Sequence, residues 1–303
     1  MNALTSDARG SHLGLDSQVF QQSFDREPFG ITHDLHTLDM FQFDSLRALA
    51  NVYSRNPQDC YVGTSAASAG SKFYAPNHVG LDPAETMDKL DTGAYRILLK
   101  RLERHDKRFR KLLDDLFHQV IEQRGGLKGE RLVRLESSVF ISSAASTTPF
   151  HFDPEIQFFH QIFGDKIYHV YSPATVSEPE LERFYLRGVV DIGQVDLKGR
   201  DPKRESVFAL SPGKGLHQPQ NAPHWVETKA TRSISFSFVF ETDATRSVGR
   251  ARSFNHYMRK FGIKPAQLGT HPDLDAFKSG TMRVVIPARQ VLGKAVRKAL
   301  RKP

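Results

Sequence analysis

Cysteine is nearly missing from this chain: Cys60 is the only one among 303 residues. A single thiol excludes an intramolecular disulfide and any multi-cysteine zinc or iron–sulfur site. Long apolar runs are missing as well, and none approaches the roughly 20 residues a helix needs to cross a bilayer. The opening residues Met1-Asn2-Ala3-Leu4-Thr5-Ser6-Asp7 lack the basic-then-apolar layout of a secretory signal. These absences point to a reducing cytosol, and a cytoplasmic protein is expected. Acidic residues are absent from Arg289 to Pro303, which holds six of the Lys and Arg residues behind a net charge of +8. Val291, Leu292, Ala295, Val296, Ala299 and Leu300 recur there at helical spacing. Three readings stay open: a basic helix in contact with an anionic membrane surface, a homodimer through the C-terminal helices, or a solvated cap. No nucleic-acid-binding motif accompanies the charge, so no nucleic-acid partner is expected.

There is no internal repeat and no low-complexity linker. A chain of this length can bury a substantial core, and β-barrel domains often exceed about 200 residues undivided. Residues 1–20 carry few large apolar side chains and read as a mobile tail. Residues 21–130 read as N-terminal strands and helices packed on a barrel. They include an entry strand at Phe29-Gly30-Ile31-Thr32-His33, a short helix from Asp44 to Tyr53, and a helix from His105 to Gln123. In the last, Phe109, Leu112, Leu113, Leu116, Phe117 and Val120 form one apolar stripe. Residues 131–245 read as the β core and 246–303 as a helical extension.

The core carries the informative motif, Thr148-Pro149-Phe150-His151-Phe152-Asp153. On a strand, residues i and i+2 share a face. An extended 148–153 therefore projects His151 and Asp153 together while Phe152 turns away. Two imidazoles and one carboxylate on one face of an octahedron leave three positions open, as iron(II) needs when it must bind both a cosubstrate and oxygen. Chance alone supplies about one H-x-D in a chain of this composition. The sequence holds its own decoy, His271-Pro272-Asp273, which reads as the entry to a helix. Around the motif, Val139-Phe140-Ile141 and Ile156–Ile162 read as strands. Gly164-Asp165 reads as a hairpin turn, and Lys166–Tyr171 as the next strand, closed by Ser172-Pro173.

The third ligand must come from further along. Residues 207–219 read as strand, turn and short strand, and Asn221-Ala222-Pro223 then bends the chain into His224-Trp225-Val226-Glu227. Two histidines compete. His224, fixed by the proline turn, suits a ligand because rigid placement lowers the ordering cost of coordination. His217 suits a supporting or core position.

Residues 147–173 resemble the iron-binding core of the Jumonji-C, cupin-like oxygenases, and most closely their asparaginyl-hydroxylase branch. The shared pattern is Thr148-Pro149-x-His151-Phe152-Asp153, Gln157, Phe158-Phe159, Gln161-Ile162 and Gly164-Asp165-Lys166, in register without a gap. The likeness thins to a pattern over 207–242. It implies a double-stranded β-helix, the jelly-roll form of a mainly β fold with flanking helices. It also implies iron(II) held by His151, Asp153 and His224, with 2-oxoglutarate as cosubstrate and O2 as oxidant. Lys166 and Thr148 would hold the remote carboxylate of 2-oxoglutarate, with Gln157 near the cosubstrate. Ser237 stands nearest to the asparagine that the branch carries late in its last strand. Arg232 is a second candidate anchor, as in other 2-oxoglutarate enzymes. No catalytic residue beyond the metal site is implied. The expected activity is a hydroxylase acting on a protein or peptide side chain or a small metabolite. The alternative is a cupin-like binding protein that keeps the metal without redox chemistry, which would leave Thr148 and Lys166 without a purpose.

Overall fold

The structure is a computed structural model that describes residues 11–65, 68–71, 81–187 and 200–299, with backbone only for 290 and 292–299. The chain divides into two compact units, one formed by 1–129, 134–175 and 194–240, the other by 130–133, 176–193 and 241–303. In chain order the elements begin with β1 (Leu13–Gly14), α1 (Ser17–Ser23), β2 (Phe29–His33), α2 (Phe43–Tyr53) and β3 (Cys60–Thr64). They continue with α3 (Pro83–Met87), β4 (Tyr95–Lys100), α4 (Leu102–His105), α5 (Lys107–Arg124) and β5 (Leu132–Ser142). Then come β6 (Thr147–His151), β7 (Ile156–Phe163), β8 (Lys166–Tyr171), α6 (Glu178–Phe184) and β9 (Glu205–Leu210). The last are β10 (Lys214–Gln218), β11 (His224–Thr228), β12 (Ser233–Thr242), α7 (Asp243–Lys260) and α8 (Pro272–Ala299).

Strand order defines the architecture of the first unit. One sheet runs β1-β2-β10-β7-β12-β5-β4-β3 and the other β6-β11-β8-β9. The arm β5-β6-β7-β8 pairs back on β12-β11-β10-β9, so the chain forms one long two-stranded ribbon whose successive segments alternate between the sheets. Pairing of β7 with β12 and of β8 with β11 joins neighbouring turns of the roll. This is a double-stranded β-helix, a jelly roll that closes two antiparallel sheets over one interior.

Side-chain alternation decides what that interior holds. Along β12, Ile234, Phe236, Phe238 and Phe240 pack outward into a core shared with Phe109, Leu113 and Leu116 of α5. Burying each such phenylalanine stabilises by about 1.5–3 kcal/mol. Ser235 and Ser237 point the other way, opposite Gln161 and Phe159 of β7. The large sheet thus turns its aromatic face to the N-terminal helices and much of its polar face to the inside of the roll. The helix expected over 105–123 is observed as α5, with its apolar stripe against the outside of the sheet.

The expectation of a mobile tail over residues 1–20 is corrected from residue 11 onward. Leu13–Gly14 pairs with β2, and Asp16 caps α1 by accepting from Val19 N at 2.9 Å. Phe20 is buried against Phe24 and Phe29. One aromatic residue and one cap order a segment whose composition is polar. Residues 1–10 lie outside the described residues.

The second unit is helical. α7 starts in a capping box between Thr242 and Thr245. Its Gly249 lies against the Tyr185 ring so closely that a Cβ would stand 2.7 Å from it. Arg252 and Arg259 pair with Glu178 and Glu182 at 3.0 and 2.6 Å. His271-Pro272-Asp273 is the entry to α8, as its sequence implies. The basic stripe expected from Val291 falls on α8 up to Ala299, and its side chains from Leu292 onward lie outside the described residues.

Candidate metal and carboxylate site

His151, Asp153 and His224 converge inside the roll, each offering a ligand atom within 4.8 Å of the others. Asp153 Oδ2 lies 3.9 Å from His151 Nε2 and 3.7 Å from His224 Nε2. Adjacent positions on an octahedron with bonds of about 2.1 Å lie about 3 Å apart, so the three side chains need close by less than about 1 Å to share an ion. Among the described residues this is the one group of His, Cys, Asp and Glu side chains placed to do so.

Both imidazoles are set by backbone carbonyls. His151 Nδ1 donates to Pro149 O at 2.7 Å, and His224 Nδ1 donates to Ala222 O at 3.0 Å. A carbonyl only accepts, so each Nδ1 carries the proton and each Nε2 presents its lone pair toward Asp153. Burial pushes His151 down to about 4 and His224 down to about 3, which keeps both rings in the neutral, ligating form. Burial raises the Asp153 carboxyl, and the neighbouring His224 opposes that shift. A bound cation would hold this carboxylate ionised.

The loops carrying Asp153 and His224 are tied together. Asp153 follows the end of β6, and its carbonyl accepts from Asn221 N at 2.8 Å in the loop before His224. Asn221 adopts φ 63°, a left-handed conformation that asparagine tolerates better than most residues. Gln220 Nε2 donates to Pro154 O at 2.7 Å, and Gln220 N to Asp25 Oδ1 at 2.9 Å. His217 stands on the opposite face of the large sheet, packed on Phe24, Phe29 and Phe158. Its Nε2 accepts from Asp25 N at 3.0 Å, so it positions the loop that leads to His224 and does not join the cluster.

Thr148 reaches the same interior through an irregularity that the sequence reading did not anticipate. His224 faces His151 across the ladder, yet Val226 faces Thr148. Two steps on β11 therefore match three on β6, and a β-bulge at Pro149-Phe150 absorbs the extra residue. In a regular strand Thr148 and His151 would point to opposite sides. Proline suits the bulge because it has no N–H to leave unpaired, and Phe150 N donates to Ala69 O at 2.9 Å outside the ladder.

Lys166 begins β8 just after the turn at Gly164, whose φ of 68° the glycine accommodates. Its side chain is only 5% exposed and shares the inner face with Tyr168 and Val170. Nζ stands 5.6 Å from the centroid of the Phe159 ring. Among the described residues no carboxylate pairs with it. Burial, and then the charge of Arg96, push Lys166 down to about 7. Gln157 and Gln218 are opposite one another on β7 and β10. Gln157 Oε1 and Gln218 Nε2 are buried without a partner among the described residues, while the Tyr168 hydroxyl donates to Gln218 Oε1. Such orphaned atoms cost about 1–3 kcal/mol each and mark a place for a polar ligand. Ser237, opposite Phe159, is buried on the same inner face. Arg232 is engaged at the surface, donating to Asp91 at 2.8 Å and lying over the Phe43 ring at 4.4 Å.

His105 bonds Asp59 at 2.9 Å and packs against the Tyr53 ring at 4.5 Å, which makes it a packing residue. A separate depression of about 670 Å³ runs along β1, β2, β9 and β10, and none of the residues of the candidate site lines it. No helix among the described residues is long and apolar enough to cross a membrane.

No protein-family model matches the sequence, and no curated protein matches it. Solved structures similar to this chain include the ribosomal oxygenase YcfD from Escherichia coli with cobalt and 2-oxoglutarate. That likeness has a TM-score of 0.48 and 16% identity, covering 91% of this chain and 67% of the other. The same protein with cobalt and succinic acid gives a TM-score of 0.49 at 14% identity, covering 91% and 67%. A structure of two DMSP lyases, RdDddP and RnDddQII, gives 0.23 at 13% identity over 35% and 38%. The strand order and register described above establish the jelly roll independently of these likenesses.

Proposed function

We propose that this chain is an iron(II)- and 2-oxoglutarate-dependent oxygenase, a hydroxylase whose metal ligands are His151, Asp153 and His224. The observation that carries this reading is the His–Asp–His convergence, at 3.7 and 3.9 Å, inside a roll whose same inner face bears a buried lysine. Two neutral imidazoles and one carboxylate suit iron(II) and leave room for a bidentate 2-oxo acid. When bound, iron supplies the activation of O2, and the balanced reaction converts 2-oxoglutarate, O2 and R–H into succinate, CO2 and R–OH.

The chain's own residues do the placing. Lys166 meets the carboxylate remote from the metal with a charge-assisted hydrogen bond, and the Thr148 hydroxyl donates to that same carboxylate. Gln157, whose Oε1 has no partner among the described residues, stands near the cosubstrate. Ser237 lines the opposite wall, in the stretch where the resemblance is only a pattern. Phe159 and Tyr168 surround Lys166 and His224 with aromatic surface, and the Tyr168 ring stacks on His224 at 5.3 Å. Excluding water there strengthens each ionic contact. Substrates within this reading are a protein or peptide side chain or a small metabolite.

The test is reconstitution with iron(II) and 2-oxoglutarate, first without oxygen and then under air. The anaerobic complex should show the visible absorption of an iron–2-oxo acid chelate, and air should release succinate even without the true substrate. Stoichiometric metal binding with neither signal would return the chain to the non-redox alternative.

A further inference from the structure

Arg96 has no role in the sequence reading, yet the fold sends it to the same interior. On β4, Ile97 and Leu99 belong to the outer core against the helices. Arg96, one residue earlier, faces the other way. It stands opposite Ser142 of β5, whose hydroxyl lies 3.1 Å from that of Thr228. Thr228 in turn stands opposite Lys166. Arg96 Nη1 donates to the carbonyl of Thr147, the residue before Thr148, at 3.3 Å. The half-buried guanidinium is thus one Ser–Thr bridge from Lys166 and one residue from Thr148. Among the described residues no carboxylate pairs with Arg96 either. The charge of Arg96 bears on Lys166. Two cations on one inner face without an anion repel one another, which favours loss of the Lys166 proton, and a ligand that brings negative charge stabilises the charged pair.

We infer that Arg96 is a binding residue that joins Lys166 and Thr148 in a two-cation clamp for the end of the cosubstrate remote from the metal. This inference rests on the oxygenase reading and adds a specificity to it: the pocket recognises up to two negative charges at that end. A guanidinium presents a planar fork and a lysine a point charge, so together they match three oxygens better than a lone lysine matches two. A group with three anionic oxygens, such as a phosphonate, fills the clamp more fully than a carboxylate.

The experiment uses metal-free protein and calorimetric titration with glutarate and with 4-phosphonobutyrate, neither of which carries a 2-oxo group. Wild-type protein should bind the phosphonate at least as tightly as glutarate. Arg96→Gln should weaken the phosphonate by at least about tenfold and abolish its preference, whereas Arg96→Lys should retain part of it. Cobalt(II) titration of the same proteins, read by its visible spectrum, should show that both variants still take up one metal ion. A wild-type protein that binds glutarate about tenfold more tightly than the phosphonate overturns the inference, even if Arg96→Gln fails to fold. So does an Arg96→Gln protein that binds both ligands like the wild type. If instead wild-type protein takes up no cobalt(II), the metal reading fails, and that result is distinguishable from either outcome at the clamp.

Discussion

His151 and His224 face each other with ring centroids 4.2 Å apart, and each is oriented by the carbonyl two residues before it. The two histidines come from different strands and are 73 positions apart in sequence, yet they use one local device. In both, a fixed Nδ1–H donor commits the ring to one tautomer, so little reorganisation remains when a metal binds.

Removing either partner of that pair should therefore differ from removing a supporting histidine. His224→Ala is expected to abolish stoichiometric metal binding. His217→Ala should keep the stoichiometry and lower affinity about 10–100-fold, because it acts only through Asp25 and the 219–222 loop. Metal titration by calorimetry decides, and the reverse order would make His217 the ligand.

Asp153 is the only anionic member of the triad. Asp153→Ala should remove turnover and reduce metal affinity strongly, whereas His271→Ala, at the start of α8, should change neither. Succinate release from 2-oxoglutarate reads the first effect and metal titration the second. A fully active Asp153→Ala protein is incompatible with the assignment.

Cosubstrate affinity should depend on pH through Lys166. Its folded value is near 7, so the ammonium is present below that pH and lost above it. A carboxylate binds the charged form, and apparent affinity should fall as pH rises from about 7 toward 9, with proton uptake on binding near neutrality. Calorimetry in buffers of different ionisation enthalpy measures the uptake. Lys166→Ala should lose at least about tenfold in affinity, and Arg232→Ala, paired with Asp91, should lose almost none.

Acid should destabilise the metal-free protein early. Burial is the leading cause that lowers His33 to about 4 and His217 to about 3, and it holds His160 well below its usual value. Bonds fix the neutral forms: His33 Nδ1 accepts from Leu35 N, and His217 Nε2 accepts from Asp25 N. The unfolded chain takes up protons from about pH 6.5 downward while the folded one does not. Stability is thus complete above pH 6.5 and declines toward pH 4, by at most about 1.4 kcal/mol per pH unit for each histidine. Urea midpoints at pH 7.5 and pH 5 test this, and equal midpoints would contradict it.

The sequence made the core strands legible because alternation and turn residues agree there. Gly164-Asp165 turns where expected, and the strands from Ile156, Lys166 and His224 begin at the predicted residues. The H-x-D pair and the proline-fixed His224 were legible for the same reason. Thr148 was assigned by resemblance, but its geometry was not, since a period of two sends it away from His151 and only the bulge brings it back. Arg96 escaped because Tyr95-Arg96-Ile97-Leu98-Leu99-Lys100 reads as a strand with a basic solvent face. In a hollow roll the face away from the helices is the inner one. The order of residues 11–20 was hidden in a single buried aromatic.

The ribbon that forms the roll also sets the route by which the site is assembled. Loop-closure entropy predicts that its arms meet first at β8 and β9, their nearest partners in sequence, and last at β5 and β12. The ligand-bearing pair β6 and β11 closes late in that order, after loop entropy has been overcome across most of the core. Iron affinity should consequently appear only with the nearly complete fold, and metal present during refolding should leave the folding rate almost unchanged while slowing unfolding.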